Sequence, residues 1–143
     1  VTGVQDVCSS DLMIMAVLEA RCGLALAGND VYLNVAGGMR VTEPAADLAV
    51  AAALVSAANR VPLPLACVVF GEISLSGEVR TVSRTDARLK EAAKLGFKQV
   101  ILPKNRRGSG AAVAGLTARE IGHVQDLIQM VEAETPRKQR QHG

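Results

Sequence analysis

Residues 80–119 hold 10 basic and 2 acidic side chains, whereas residues 1–79 hold 3 and 8 and residues 120–143 hold 3 and 4. The formal net charge of +2 therefore hides one strongly positive block. Its candidates for chemistry are Arg80, Arg84, Arg88, Lys90, Lys94, Lys104, Arg106 and Arg107, which could neutralise backbone phosphates without reading bases. A solvated helix face followed by a loop gives similar counts, so charge alone leaves both readings open. Other site chemistry is sparse. Cys8, Cys22 and Cys67 are odd in number and lack a C-x-x-C spacing, so they read as reduced thiols, with no disulfide framework and no metal site. No G-x-x-x-x-G-K-[ST] run cradles a nucleotide phosphate, Gly108 to Gly110 reads as a loop, and Gly37-Gly38 reads as a turn. His123 has no neighbouring histidine except His142 in the tail, and reads as a capping or packing residue. With 2% aromatic residues and no Trp, stacking platforms for single-stranded nucleic acid are excluded.

The elements that must position these residues follow from periodicity. A chain of 143 residues, 49% of them hydrophobic, supports one domain with a single sizeable core, filled by Ala, Val, Leu, Ile and Met. No apolar run approaches the roughly 18 to 20 residues that span a bilayer, so a cytoplasmic protein is expected, with no membrane partner. Residues 1–11 show no periodicity and read as a non-native or disordered leader. From Leu12 to Cys22 the apolar residues recur at helical spacing, with Gly23 as C-cap. Asp30 to Val35, Gly37-Gly38 and Met39 to Val41 read as a hairpin. Thr42 or Glu43 is placed to cap a helix with Pro44 at its first position and Asp47 in its first turn, and that helix, apolar on nearly every face, runs to about Asn59.

Ala66 to Ile73 is a continuous apolar run that predicts one central strand, turning at Gly77 into a partner over Glu78 to Val82. A helix over Arg84 to Leu95, a strand over Lys98 to Leu102 closed by Pro103, a basic loop over 104–114, a strand within Leu116 to Val124 and a helix over Gln125 to Glu134 complete the domain at 12–134. Residues 135–143 read as a disordered basic tail.

Two stretches carry a resemblance: V-T-E-P-A-A at 41–46, at the mouth of the alanine-rich helix, and G-E-I-S-L-S-G-E-V at 71–79. Together they resemble the proteolytic domain of Lon-type serine proteases. Longer ordered runs are similar to the Lon-like C-terminal domain of the RadA (Sms) family of bacterial DNA-repair ATPases: A-V-L-E-x-R-C-G at 16–23, D-V-Y-L-N-V-A-G-G at 30–38, T-E-P-A-A-D-L-A-V at 42–50, F-G-E-I-x-L-x-G-E-V-R at 70–80 and E-A-A-K-L-G-F at 91–97. The resemblance implies an α/β domain of the ribosomal protein S5 domain 2-like type, a mixed sheet with packed helices.

It also implies that a Ser/Lys dyad is missing. The serine position of the peptidases falls on Ala45 and the lysine position on Asp86; a methyl group cannot attack a carbonyl, and a carboxylate cannot replace a neutral amine base. Ser74 and Ser76 lie on a hairpin, away from the helix entrance where an oxyanion hole could be built. The family further implies a non-catalytic oligomerisation and DNA-interaction module, a hexameric ring, and DNA and a recombinase as partners. ATP, Mg and Zn would belong only to an ATPase core and a zinc finger preceding this region, with no cofactor in this stretch. A Ser/Lys peptidase and a pure protein-interaction scaffold are the alternative readings.

Overall fold

In the computed structural model the described residues are 9–24, 26, 28, 30, 31, 41–105 and 114–134. The expected hairpin over 30–41, Arg106, Arg107, most of the basic loop, residues 1–8 of the leader and the basic tail lie outside them. Helix α1 (Ser9–Cys22) begins three residues before the expected start at Leu12. It closes as expected on Gly23 at φ 64, with the Leu24 amide reaching back to the Leu18 carbonyl. A single 3-10 turn over Pro44–Ala46 leads into α2 (Asp47–Asn59), which ends on Arg60 in the left-handed region.

The run 66–73 is not one strand. It splits into β1 (Cys67–Val69) and β2 (Glu72–Ile73), with Phe70 and Gly71 between them. The reason is a backbone exchange: the Gly71 N–H donates to the Ala45 carbonyl at 2.8 Å, and the Leu48 N–H donates to the Gly71 carbonyl at 3.0 Å. The chain thus leaves the sheet to satisfy groups at the entrance of α2, whose first amides have no partner within the helix. Beyond that break, β2 pairs antiparallel with β3 (Val79–Arg80), shorter than the expected 78–82. Helix α3 (Thr85–Lys94), β4 (Gln99–Pro103), β5 (Thr117–Ile121) and α4 (Val124–Ala133) follow. Pro103 is the last residue of its strand, where a missing N–H costs least.

Among the described residues the expected mixed sheet is two separate sheets. β1, β4 and β5 form a parallel sheet in the order β1-β4-β5, and β2 and β3 form an antiparallel pair. Both faces of the central strand β4 are covered, as parallel strands require, while the edge strand β5 is largely exposed. Ile101 and Ile121 face a core shared by α1, α2 and α4, built around Leu18, Leu48, Val55 and Leu127. Val100 and Leu102 face the other way, against Phe70, Leu89, Ala92 and Leu116, beneath α3. This explains why Val100, Ile101 and Leu102 are all buried in sequence, where a half-exposed strand would alternate. The expected single core is divided by the sheet into one large cluster and a smaller one beneath α3.

Candidate functional site

The entrance of α2 is built around Ala45, which is 4% exposed. Asp47 follows in the first turn and is buried; its Oδ2 accepts the Ile73 N–H at 3.1 Å. This carboxylate therefore ties α2 to β2 while sitting at the positive end of the helix. Opposite lies Gly71, where an added Cβ would come within 3.1 Å of Leu48, Pro103 and Val79. The backbone around Ala45 is thus closely packed, and its side chain is a methyl group. Asp86, which the resemblance alone set at the peptidase lysine position, is exposed in the first turn of α3. Ser74 and Ser76 hydrogen-bond each other at 2.8 Å on the hairpin turn.

Neither Thr42 nor Glu43 caps the helix. Glu43 precedes the 3-10 turn without a side-chain cap bond, and its carboxylate instead pairs with the Arg88 guanidinium. Arg88 also donates through Nε to the Ser83 carbonyl at 3.1 Å and lies 6.0 Å from the Phe70 ring centroid. Of the cations singled out in sequence, Arg88 is therefore engaged within the fold, spanning from α3 to the entrance of α2. An exposed pair of this kind stabilises by about 0–1 kcal/mol, so its contribution is geometric rather than energetic.

The remaining described candidates, Arg80, Arg84, Lys90, Lys94 and Lys104, are exposed. They do not form one patch. Arg80 and Lys104 line an open groove with Glu78, Asn105, Glu120 and Gly122, beyond the C-terminal ends of the parallel strands. Arg84 stands before the first turn of α3 at φ 59. Lys94 ends α3 at the opposite end of the sheet, where the negative end of the helix favours it, and Lys90 lies one turn earlier. Sequence reasoning missed Lys98, assigned to a strand; β4 begins only at Gln99, leaving Lys98 exposed. Arg119, also unremarked, donates to Glu134 at 2.9 Å.

His123 is a cap, as expected. Its Nδ1 accepts the Gln125 N–H at 3.0 Å, while Asp126 Oδ2 accepts the N–H groups of Gly122 and His123, completing a capping box. Its Nε2 donates to the Ser76 carbonyl at 3.1 Å, the tautomer that leaves Nδ1 free to accept. The thiols Cys22 and Cys67 are half-buried, and burial pushes both up from the usual thiol range. For Cys67 a backbone hydrogen bond at Ile101 and the charge of Arg119 act in the opposite direction. Among the described residues no group of three His, Cys, Asp or Glu is placed to hold a metal ion, and no helix is long and apolar enough to cross a membrane.

The chain belongs to the family described as subunit ChlI of Mg-chelatase, whose model matches residues 5–106. Within that class the similarity is to the DNA repair protein RadA. The chain is 48% identical over 120 residues to RadA of Rickettsia typhi, covering 84% of this chain and 26% of the relative. It is 56% identical over 120 residues to RadA of Brucella abortus (75% and 25%), and 44% identical over 119 residues to RadA of Aquifex aeolicus (83% and 26%). The resemblance to the RadA family read from the motifs is thus borne out. The chain spans about a quarter of the length of these relatives.

Proposed function

We propose that this chain is the non-catalytic, Lon-like oligomerisation and DNA-interaction domain of a cytoplasmic RadA-type repair protein. In this reading the ATPase core and zinc finger lie in the three quarters of such a protein that this chain does not match, and ATP, Mg and Zn act there. The observation that carries the reading is the pairing of RadA-like sequence with a helix entrance whose nucleophile position is a buried methyl group. Hydrolysis of a peptide bond needs an attacking oxygen and a base to take its proton; Ala45 and Asp86 supply neither. What remains is shape and positive surface.

DNA contact in this reading is made to phosphates by Arg80, Arg84, Lys90, Lys94 and Lys104, joined by Arg106 and Arg107 of the basic loop. Fluorescence anisotropy with a DNA duplex across a salt series tests it. Replacing Lys90 and Lys94 by Ala should flatten the slope of log K against log salt by about 1.8, at about 0.9 per lost phosphate contact. A slope that stays unchanged when Arg80 and Lys104 are also replaced removes the DNA role. The engagement of Arg88 with Glu43 and of Arg119 with Glu134 supports a second reading, a pure protein-interaction scaffold, because it withdraws two cations from the surface. The same measurement separates the two. Casein cleavage and labelling by a serine-reactive probe, expected to be absent, test the loss of peptidase chemistry.

A further inference from the structure

Where the strands of the parallel sheet begin, two leucines stand in water. Leu65, just before β1, is 90% exposed, and Leu95, at the close of α3, is 67% exposed. A single exposed leucine is ordinary on a protein surface, but these two are brought to the same end of the sheet by the backbone. The Ala66 carbonyl accepts the N–H groups of both Lys98 and Gln99, which ties the segment before β1 to the segment before β4.

Each leucine is also held in place. The loop bearing Leu65 contains Pro62 and Pro64 and is bracketed by Arg60 at φ 54 and Ala66 at φ 51, left-handed conformations uncommon for residues with a Cβ. Leu63 of the same loop packs against the larger core, while Leu65 does not. Leu95 is fixed by the end of α3: the Gly96 N–H donates to the Ala93 carbonyl, the Phe97 N–H donates to the Ala92 carbonyl, and Phe97 packs against the smaller core. Anchors already held in one backbone geometry give up little freedom when a partner covers them.

The charge of this end is mainly positive. Arg60, Lys94 and Lys98 are exposed, and Glu91, one turn before Leu95, is the counter-charge. A DNA backbone would neutralise such cations but has no apolar group to cover a leucine. The opposite end of the sheet is different in kind. There Leu75 is 71% exposed on the β2–β3 hairpin turn, and Arg80 and Lys104 stand with Glu78 and Glu120, so that end offers no net negative charge to a second copy.

We propose that the Leu65–Leu95 end is a docking surface for an acidic segment of another protein, whose apolar side chains cover the two leucines while its carboxylates meet Arg60, Lys94 and Lys98. Apolar anchors and carboxylates together are what this surface complements, and an acidic peptide supplies both. The partner is additional to the DNA reading given above and does not rest on it.

Fluorescence anisotropy of the full chain with a labelled Glu-rich peptide carrying spaced Leu residues tests the surface. The peptide should bind saturably, and the same peptide with Ser for each Leu, or with Lys for each Glu, should not. Leu65→Ser and Leu95→Ser should each raise the dissociation constant by at least about tenfold, as expected on losing a covered leucine. Both positions are exposed, so circular dichroism and melting temperature should match the unaltered chain. Lys98→Glu and Arg60→Glu should weaken binding and reduce its dependence on salt. Binding of a DNA duplex should be unchanged in Leu65→Ser. No binding of the Glu/Leu peptide, or equal binding of the Glu/Ser peptide, overturns the proposal. So does loss of duplex binding, or of binding to vesicles containing phosphatidylserine, in Leu65→Ser, because the surface then serves DNA or lipid. Sedimentation of the unaltered chain that shows oligomers which Leu65→Ser dissolves would assign the surface to a second copy and overturn it as well.

Discussion

Asp47 shows how one residue can hold a second task beside the one its place in sequence predicts. Its place in the first turn of α2 fits a carboxylate that complements the helix dipole, yet its side chain is buried and receives the Ile73 N–H from a separate sheet. Removing the carboxylate leaves that amide without its acceptor in the interior, at a cost of about 1–3 kcal/mol. Urea denaturation should therefore show Asp47→Ala destabilised by about that amount, with Asp47→Asn, which keeps an acceptor oxygen, recovering a good part of the loss. Equal stability of the two variants would mean that the bond to β2 contributes little. Gly71 belongs to the same construction: three side chains stand 3.1 Å from where its Cβ would be.

Among the elements, α4 and the hairpin are joined through one side chain. His123 caps α4 through Nδ1 and holds the hairpin turn through Nε2, so one ring serves two elements. Loss of an N-cap costs about 1 kcal/mol. His123→Ala should lower the unfolding free energy by about that much and speed hydrogen exchange at Gln125; His123→Asn, which can still cap, should rescue the α4 amide but not the contact to Ser76. An unaltered exchange rate at Gln125 in the alanine variant would refute the cap. The left-handed glycine of this turn, Gly77 at φ 89, has no room for a Cβ, which would lie 2.7 Å from His123 Nε2.

At the scale of the whole molecule, the sheet separates two cores, and β4 serves both. Ile101 and Leu102 are each 1% exposed, but Ile101 faces α1, α2 and α4 while Leu102 faces α3. If both layers are needed for the native state, Ile101→Ala and Leu102→Ala should each cost about 2–5 kcal/mol, a large part of the roughly 5–15 kcal/mol that holds a domain together. Thermal unfolding should stay a single transition in both variants. A cost below about 1 kcal/mol for Leu102→Ala would mean that the α3 layer is dispensable. The same division spreads the cations, with Arg80 and Lys104 beyond the strand ends and Lys94 and Lys98 near the strand starts.

The helices, the hairpin turn at Gly77 and the capping role of His123 were legible in the sequence, because local periodicity and cap chemistry depend only on residues a few positions apart. So was the kinship to RadA, carried by long ordered runs. The break in the apolar run at Phe70–Gly71 was not, because its cause is a pair of hydrogen bonds to Ala45 and Leu48, more than twenty residues earlier in the chain. The division of the core into two, the engagement of Arg88 with Glu43, and the placing of exposed leucines at opposite ends of the sheet were likewise decided only by folding. Each depends on which distant segments meet, and a count of charges or apolar residues along the chain contains no such distances.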